Sequence, residues 1–350
     1  MTTIDAPGTV RAIRHRLATR RRAVTLGLLV LLALTFALAL YLGDYPVAPA
    51  DVLQSLFSPL TGAVNKGTDF IVLNVRLPRA TLAILTGTAF GISGIIFQTL
   101  LRNPLASPDI IGISQGASAA AVFCIIGLGL TGFAVSLGAL LGAVATALII
   151  YALAWQKGVT AYRVVLIGIG MAAIMSAMLS YLFTRARLTE VQTALAWLVG
   201  SLNAANLSEI IPLALALVVL IPLTIVLARG LDALQLGDDT ATALGARLEV
   251  TRLGLLLAGV AYAAFATAAA GPVAFVAFVA GPIARGLLGG SGTGFVQAAL
   301  VGAWVMLGAD LVAQHALPSI QLPVGVVTGV FGALFLLWRL VASNRAGRVN

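Results

Sequence analysis

The chain has 350 residues, of which 60% are hydrophobic and only 9% charged, and its mean hydropathy is +1.05. A soluble surface of that size needs roughly a quarter of its residues charged, so two soluble domains, a disordered chain and a disulfide-built secreted scaffold are all excluded. The 21 Lys and Arg outnumber the 12 Asp and Glu. The excess gathers at the ends rather than along a nucleic-acid-binding stripe: Arg11, Arg14, Arg16, Arg20, Arg21 and Arg22 precede the first apolar run, and Arg339, Arg345 and Arg348 follow the last. Such ends anchor on an anionic leaflet.

A membrane-crossing helix needs about 20 apolar residues. The first candidate is Ala23 to Leu42; it is too long for the core of a signal peptide and more spans follow, so it reads as an uncleaved helix. The second runs from Arg79 to about Leu101, with Pro78 at its first turn, where proline costs little. Between Asp109 and Lys157 the chain carries no charge, leaving room for two spans that turn near Gly127 to Gly132. A fifth covers about Arg163 to Phe183 and a sixth about Ile210 to Ala228. The uncharged stretch between Arg252 and Arg285 is too short for two full crossings and too long for one. It reads as a full helix, Leu253 to Ala270, and a shorter one, Pro272 to Arg285. Two more spans follow, about Phe295 to Ala316 and Val324 to Val341, with Asp310 the sole charge between Gly286 and Trp338.

The expected fold is therefore an all-α polytopic membrane protein of about ten transmembrane helices, with both termini cytoplasmic. The even count places both basic ends on one side. Sixteen of the 21 Lys and Arg then fall inside, leaving Lys66, Arg76, Arg79, Arg185 and Arg187 outside, as the positive-inside rule requires. Residues 1–22 form a basic cytoplasmic segment, 23–341 a single transmembrane domain with a cytoplasmic loop at about 229–252, and 342–350 a tail. Gly87, Gly91 and Gly94, and Gly138 with Gly142, are spaced for close helix contact, within one subunit or between two.

No chemistry of bond making is visible. The phosphate-cradling G-x-x-x-x-G-K-[ST] loop is absent, and with its two histidines placed as His15 and His315 are, no Ser-His-Asp constellation is possible within the membrane. With a single cysteine, Cys124, there is neither an intrachain disulfide nor a cysteine metal site. A metal that crosses here crosses already chelated. Asp310 and His315 are the ionisable groups an ion-coupled carrier could use, but for Asp310 capping a helix or pairing with a neighbour suits better than a proton relay. The chain is not read as an enzyme, and its energy must come from elsewhere. In the long cytoplasmic loop, Asp238 and Asp239 favour a helix start and Gly245 a helix end, so two short helices could dock on a partner; a solvated loop is the alternative.

Several motifs taken together carry a resemblance. Arg76-Leu-Pro-Arg79, Gly94-Ile-Ile-Phe-Gln98 and the run from Arg102-Asn-Pro-Leu to Gly116 come first. Trp197-Leu-Val-Gly-Ser201, Leu236-Gly-Asp238 with Leu244-Gly245, Gly271-Pro-Val-Ala-Phe-Val276 and Leu322-Pro-Val-Gly onward to Ala333 follow in order. Together they resemble the FecCD-type membrane subunit of type II ABC importers, the permeases of iron-chelate and cobalamin uptake.

That resemblance implies a dimer, with a second copy or a related permease, and a path along the subunit interface. Two cytoplasmic ATPase subunits would supply ATP and magnesium chemistry, so no cofactor is expected in this chain. A periplasmic or lipid-anchored binding protein would deliver the substrate at the bacterial inner membrane. Arg76 and Arg79 match the residues that would dock that protein, against headgroup anchoring as the alternative. Leu236, Gly237, Asp238, Leu244 and Gly245 would couple to the ATPase. Gln98, Asn103, Ser114 and Gln115 are candidate polar contacts along the path. Gln314 stands where many members have a third arginine, and Pro282-Ile-Ala-Arg285 lacks the histidine of Pro-His-x-x-Arg, a loss shared with ferric-catecholate permeases. The implied cargo is a ferric siderophore, with cobalamin or haem as alternatives. From the residues alone, an ion-coupled secondary carrier is the reading in a different class.

Overall fold

A computed structural model describes residues 6–43, 45–61, 66–109, 111–155, 161–203, 205–234, 248–290, 292–317 and 320–346. Among the described residues the secondary structure is helical, apart from one isolated bridge between Leu317 and Ile320. Helix α1, Ala6–Tyr41, joins the basic N-terminal segment to the first apolar run without a break. A short helix α2, Pro49–Thr61, and a single turn α3, Lys66–Asp69, lead into a π-helical segment, Phe70–Arg76, and then α4, Leu77–Leu100.

The second span thus starts earlier than Arg79: the helix is continuous over Gly67–Leu100. Pro78 has no N–H to donate, and its ring crowds the carbonyl four residues back. The π segment just ahead of it opens the backbone there, with the Leu77 N–H donating to the Val72 carbonyl five residues earlier. The proline therefore sits at the first turn of α4 yet does not begin the helix.

Helix α5, Ile113–Val122, runs into a second π segment, Phe123–Gly127, and is followed by α6, Phe133–Ala154, and α7, Ala161–Arg185. A short α8, Leu188–Leu198, precedes α9, Leu207–Leu234, which carries Pro212 and Pro222 within it. The last four are α10, Leu248–Ala270, α11, Val276–Leu288, α12, Phe295–His315, and α13, Val324–Ala346. Among the described residues, seven helical runs are long and apolar enough to cross a membrane: Ile13–Tyr41, Gly67–Leu100, Phe133–Ala154, Tyr162–Arg185, Leu207–Ala228, Glu249–Ala270 and Phe295–His315. Three shorter apolar helices, Ile113–Gly127, Val276–Leu288 and Val324–Arg339, occupy the other expected positions.

Helix α4 is the axis of the bundle and packs on α12, α10, α11 and α9. Its stretch from Ala89 to Gln98 is buried throughout. One apolar cluster gathers α4 with α9, α10 and α12 around Phe90, Leu255, Tyr262 and Met306. A second gathers α5, α6 and α7 around Ile113, Ala139 and Ile150, with Val260 and Ala264 of α10 joining it to the first.

Lipid is as apolar as leucine, so helices in a bilayer are held by close packing and interhelical hydrogen bonds rather than by exclusion from water. The glycine stripe of α4 serves that purpose within this chain. A Cβ at Gly87 or Gly91 would collide with the carbonyls of Gly302 and Ala298, and one at Gly94 with the carbonyl of Ala277. Gly138 and Gly142 press on Cys124, Ala120 and Gly116 of the neighbouring segment in the same way. The Ser93 hydroxyl adds a hydrogen bond across helices to the Gly259 carbonyl at 2.7 Å.

Gly94→Ala must push α4 away from α11, and overpacking of this kind costs about 1–3 kcal/mol. Gly308→Ala meets nothing within 4 Å and should stabilise α12 by about 0.5–1 kcal/mol. Thermal unfolding of the two purified variants in detergent should therefore shift in opposite directions.

Candidate functional site

Two polar clusters and one loop concentrate the chemistry. The first lies where α1 ends and α4 begins. Helix α1 leaves its last carbonyls without intrahelical donors, at the negative end of its dipole. Arg76, the last residue of the π segment, supplies them. Its Nη1 donates to the carbonyls of Leu40 at 2.8 Å and Tyr41 at 2.9 Å, and its Nη2 to that of Tyr45. Gly43 leaves room for the guanidinium, which a Cβ there would strike. Arg76 is 8% exposed.

One turn further, Arg79 forms a buried ion pair with Asp310 of α12. Nε lies 3.1 and 3.0 Å from the two carboxylate oxygens and Nη2 lies 2.9 Å from Oδ1. The remaining Nη1 donates to Gln321 Oε1 at 3.0 Å, and Gln314 Nε2 donates to Asp310 Oδ2 at 2.8 Å. This is the forked geometry in which arginine binds carboxylate most strongly. It ties α4, α12 and the loop before α13 into one unit. Arg79 does meet a carboxylate, as its charge and position imply, but the carboxylate belongs to this chain. Asp310 takes the pairing role.

The second cluster lies at the other end of α4. Gln98 is 3% exposed, and its Nε2 donates to the Phe278 carbonyl at 3.0 Å. Its Oε1 accepts from Arg285 Nη2 at 2.6 Å. Both ends of the amide are engaged between α4 and α11, so Gln98 works as a clasp between helices.

The loop from Leu101 to Gly112 follows. Arg102 adopts a left-handed conformation (φ 49°), and Asn103 Oδ1 accepts the Leu105 N–H at 2.9 Å in a tight turn. Gly112 (φ 84°) packs on Gly168 of α7, where a Cβ would meet the Gly168 carbonyl at 2.8 Å. The Ser114 hydroxyl at the start of α5 donates to Asp109 Oδ1. Burial raises the Asp109 carboxyl above its ordinary range, partly offset by that hydrogen bond. An open cleft of about 290 Å³ lies between this loop and the start of α7, lined by Asn103, Leu105, Ser107, Ile111, Tyr162 and Val165.

Of the four residues expected to offer polar contacts along a path, only Asn103 lines this cleft. Gln98 and Ser114 are buried and engaged with their own neighbours, and Gln115 is half-buried on α5. The coupling residues Leu236, Gly237, Asp238, Leu244 and Gly245 lie outside the described residues. Among the described residues no group of three or more His, Cys, Asp or Glu is placed to hold a metal ion. Sequence reasoning missed the cap that Arg76 places on α1 and the Gln98–Arg285 clasp. The Arg79–Asp310 pair did have a signal: each is a charge near one end of a span expected from the sequence.

Removing one partner of a buried ion pair strands the other, at a cost on the order of 3–5 kcal/mol, whereas replacing both by apolar residues is often nearly neutral. Asp310→Ala should therefore lower the thermal midpoint in detergent strongly, and combining it with Arg79→Met should recover most of the loss. A double variant as unstable as the single one would show that the pair does not act as a unit.

Comparison with known proteins gives consistent matches along the chain. The model of the FecCD transport family matches residues 31–342. The ferric enterobactin transport system permease protein FepG of Escherichia coli (strain K12) is 40% identical over 83% of this chain and 88% of its own length. The achromobactin transport system permease protein CbrC of Dickeya dadantii (strain 3937) is 39% identical over 91% and 90%. The iron(3+)-hydroxamate import system permease protein FhuG of Bacillus subtilis (strain 168) is 36% identical over 90% and 95%. The fold matches a solved structure described as an inward-facing conformation of a putative metal-chelate type ABC transporter. The TM-score is 0.77 at 24% identity, over 92% of this chain and 99% of that one. This chain belongs to the FecCD transport family.

Proposed function

We propose that this chain is the membrane-spanning subunit of an ATP-driven importer that carries a ferric siderophore across the bacterial inner membrane by alternating access. The observation that carries the reading is 40% identity over 83% of this chain to a permease of a ferric enterobactin system and 36% over 90% to one of an iron(3+)-hydroxamate system. On this reading the seven long helices and three shorter ones make ten crossings, with both basic ends in the cytoplasm, as the distribution of Lys and Arg supports. A second permease subunit covers part of the apolar surface that α7, α9 and α13 leave exposed, and lipid covers the rest.

Two ATPase subunits dock on the cytoplasmic loop at about 229–252, where Leu236, Gly237, Asp238, Leu244 and Gly245 form the contact, and they hold the ATP and magnesium. The binding protein lands on the outer ends of α1, α4 and α12. Arg76 and Arg79 contribute there by ordering those ends. A direct ion pair with a carboxylate of the binding protein would require Arg76 to leave the Tyr45 carbonyl or Arg79 to leave Asp310. The chain itself makes and breaks no covalent bond. Its work is to change shape around an already chelated ion.

The test is uptake in a deletion strain supplied with radioiron on a panel of siderophores and, separately, with labelled cobalamin. Selective loss of one or more ferric chelates, restored by the intact gene, is the expected result. Loss of cobalamin uptake with all ferric chelates intact would overturn the siderophore assignment.

A further inference from the structure

Three arginines gather at the C-terminal end of α11. Arg20, reaching across from α1, donates its Nε to the Leu287 carbonyl at 3.0 Å, and its guanidinium lies against Gly289, where a Cβ would strike it. Arg285 is half-buried, with Nη2 on Gln98, and it lies within electrostatic reach of Arg339 on α13. Among the described residues, no carboxylate forms an ion pair with any of these three.

The C-terminal dipole of α11 offsets part of the charge that Arg20 brings, but only about half an elementary charge is available there. Arg339 repels the half-buried Arg285, and an anion placed beside them would relieve both that repulsion and the cost of burying the charge.

The surroundings select the kind of anion. Ile13 and Leu17, on the same face of α1 as Arg20, are exposed, as are Leu334, Leu337 and Trp338 beside Arg339. Trp338 is 63% exposed, and an exposed tryptophan next to an arginine is typical of the depth where headgroups meet acyl chains. A free phosphate would make no use of that apolar collar. A phosphodiester carrying two acyl chains fits both parts.

We infer that the end of α11, flanked by α1 and α13, binds the headgroup of an anionic glycerophospholipid through Arg20, Arg285 and Arg339. The inference shares with the proposed function the placement of this end at the cytoplasmic leaflet. The lipid would bridge three helices that meet there and fix the approach of α13 to α11.

The test is native mass spectrometry of the full chain released from nanodiscs of equal parts phosphatidylglycerol and phosphatidylcholine. Anionic lipid is present in both leaflets of such discs, so the outcome does not depend on orientation or on transport. The native protein should retain phosphatidylglycerol in preference to phosphatidylcholine. The paired variant R20Q/R339Q should retain roughly tenfold less. R339Q alone, which removes no hydrogen bond seen in the structure, should lose part of it, and R14Q/R16Q should lose none. Equal loss in both paired variants would mean diffuse attraction to the whole basic end and would overturn the site. So would equal retention of the two lipids by the native protein.

Discussion

The structure depends first on how closely α4 is approached by its neighbours. Inside a bilayer each backbone N–H and C=O must be satisfied by its own helix, and little hydrophobic drive remains to press helices together. Contact has to come from shape. Gly87, Gly91 and Gly94 remove side chains from one face of α4, so that the backbones of α11 and α12 can lie directly against it. Only with α4 seated this deeply can Arg79 reach Asp310 at one end and Gln98 reach Arg285 at the other. The small residues set the distances, and the polar contacts fix the register.

The arginines at the helix ends follow a common pattern. Arg76 closes the end of α1, Arg20 the end of α11, and Arg163, through Nη1 to the Ala154 carbonyl at 3.2 Å, the end of α6. Each places a positive charge at the negative end of a helix dipole and satisfies carbonyls that have no intrahelical donor. In a chain with so few charges, residues that look like membrane anchors in the sequence also serve as caps. That dual use changes how the arginine pair is understood: Arg76 and Arg79 are part of the frame that any docking partner on this face would meet.

Much of the architecture was legible in the sequence because length and hydropathy govern a membrane span. The charge-free stretch after Asp109 yields two helices, and the stretch after Arg252 yields a full helix followed by a short one, as its length demands. Helices α2 and α8 were not legible. They are short, and each mixes polar with apolar residues, so neither registers as a span. The early start of the second span was hidden by Pro78, because whether proline begins a helix or lies within one depends on the turn before it. The glycine spacing predicted a packing face, but nothing local could say that Gly94 would meet Ala277. Gln98 was assigned to a path on its polarity, whereas its partners, Phe278 and Arg285, come from a distant part of the chain. The coupling residues rest on resemblance, since they lie outside the described residues.

Function in this fold is a matter of division of labour. The chain supplies a helical frame with a jointed loop and cleft at one end of α4, and a rigid, ion-paired platform at the other. On the proposed function the driving force belongs to a partner. The most direct test is to reconstitute the chain in proteoliposomes with and without its ATPase subunits and to follow entry of radioiron-labelled siderophore. The binding protein is supplied in both cases. The account predicts uptake that requires both the ATPase and ATP and that is indifferent to a proton gradient. Uptake driven by a proton gradient, with the chain alone in the membrane, would contradict it.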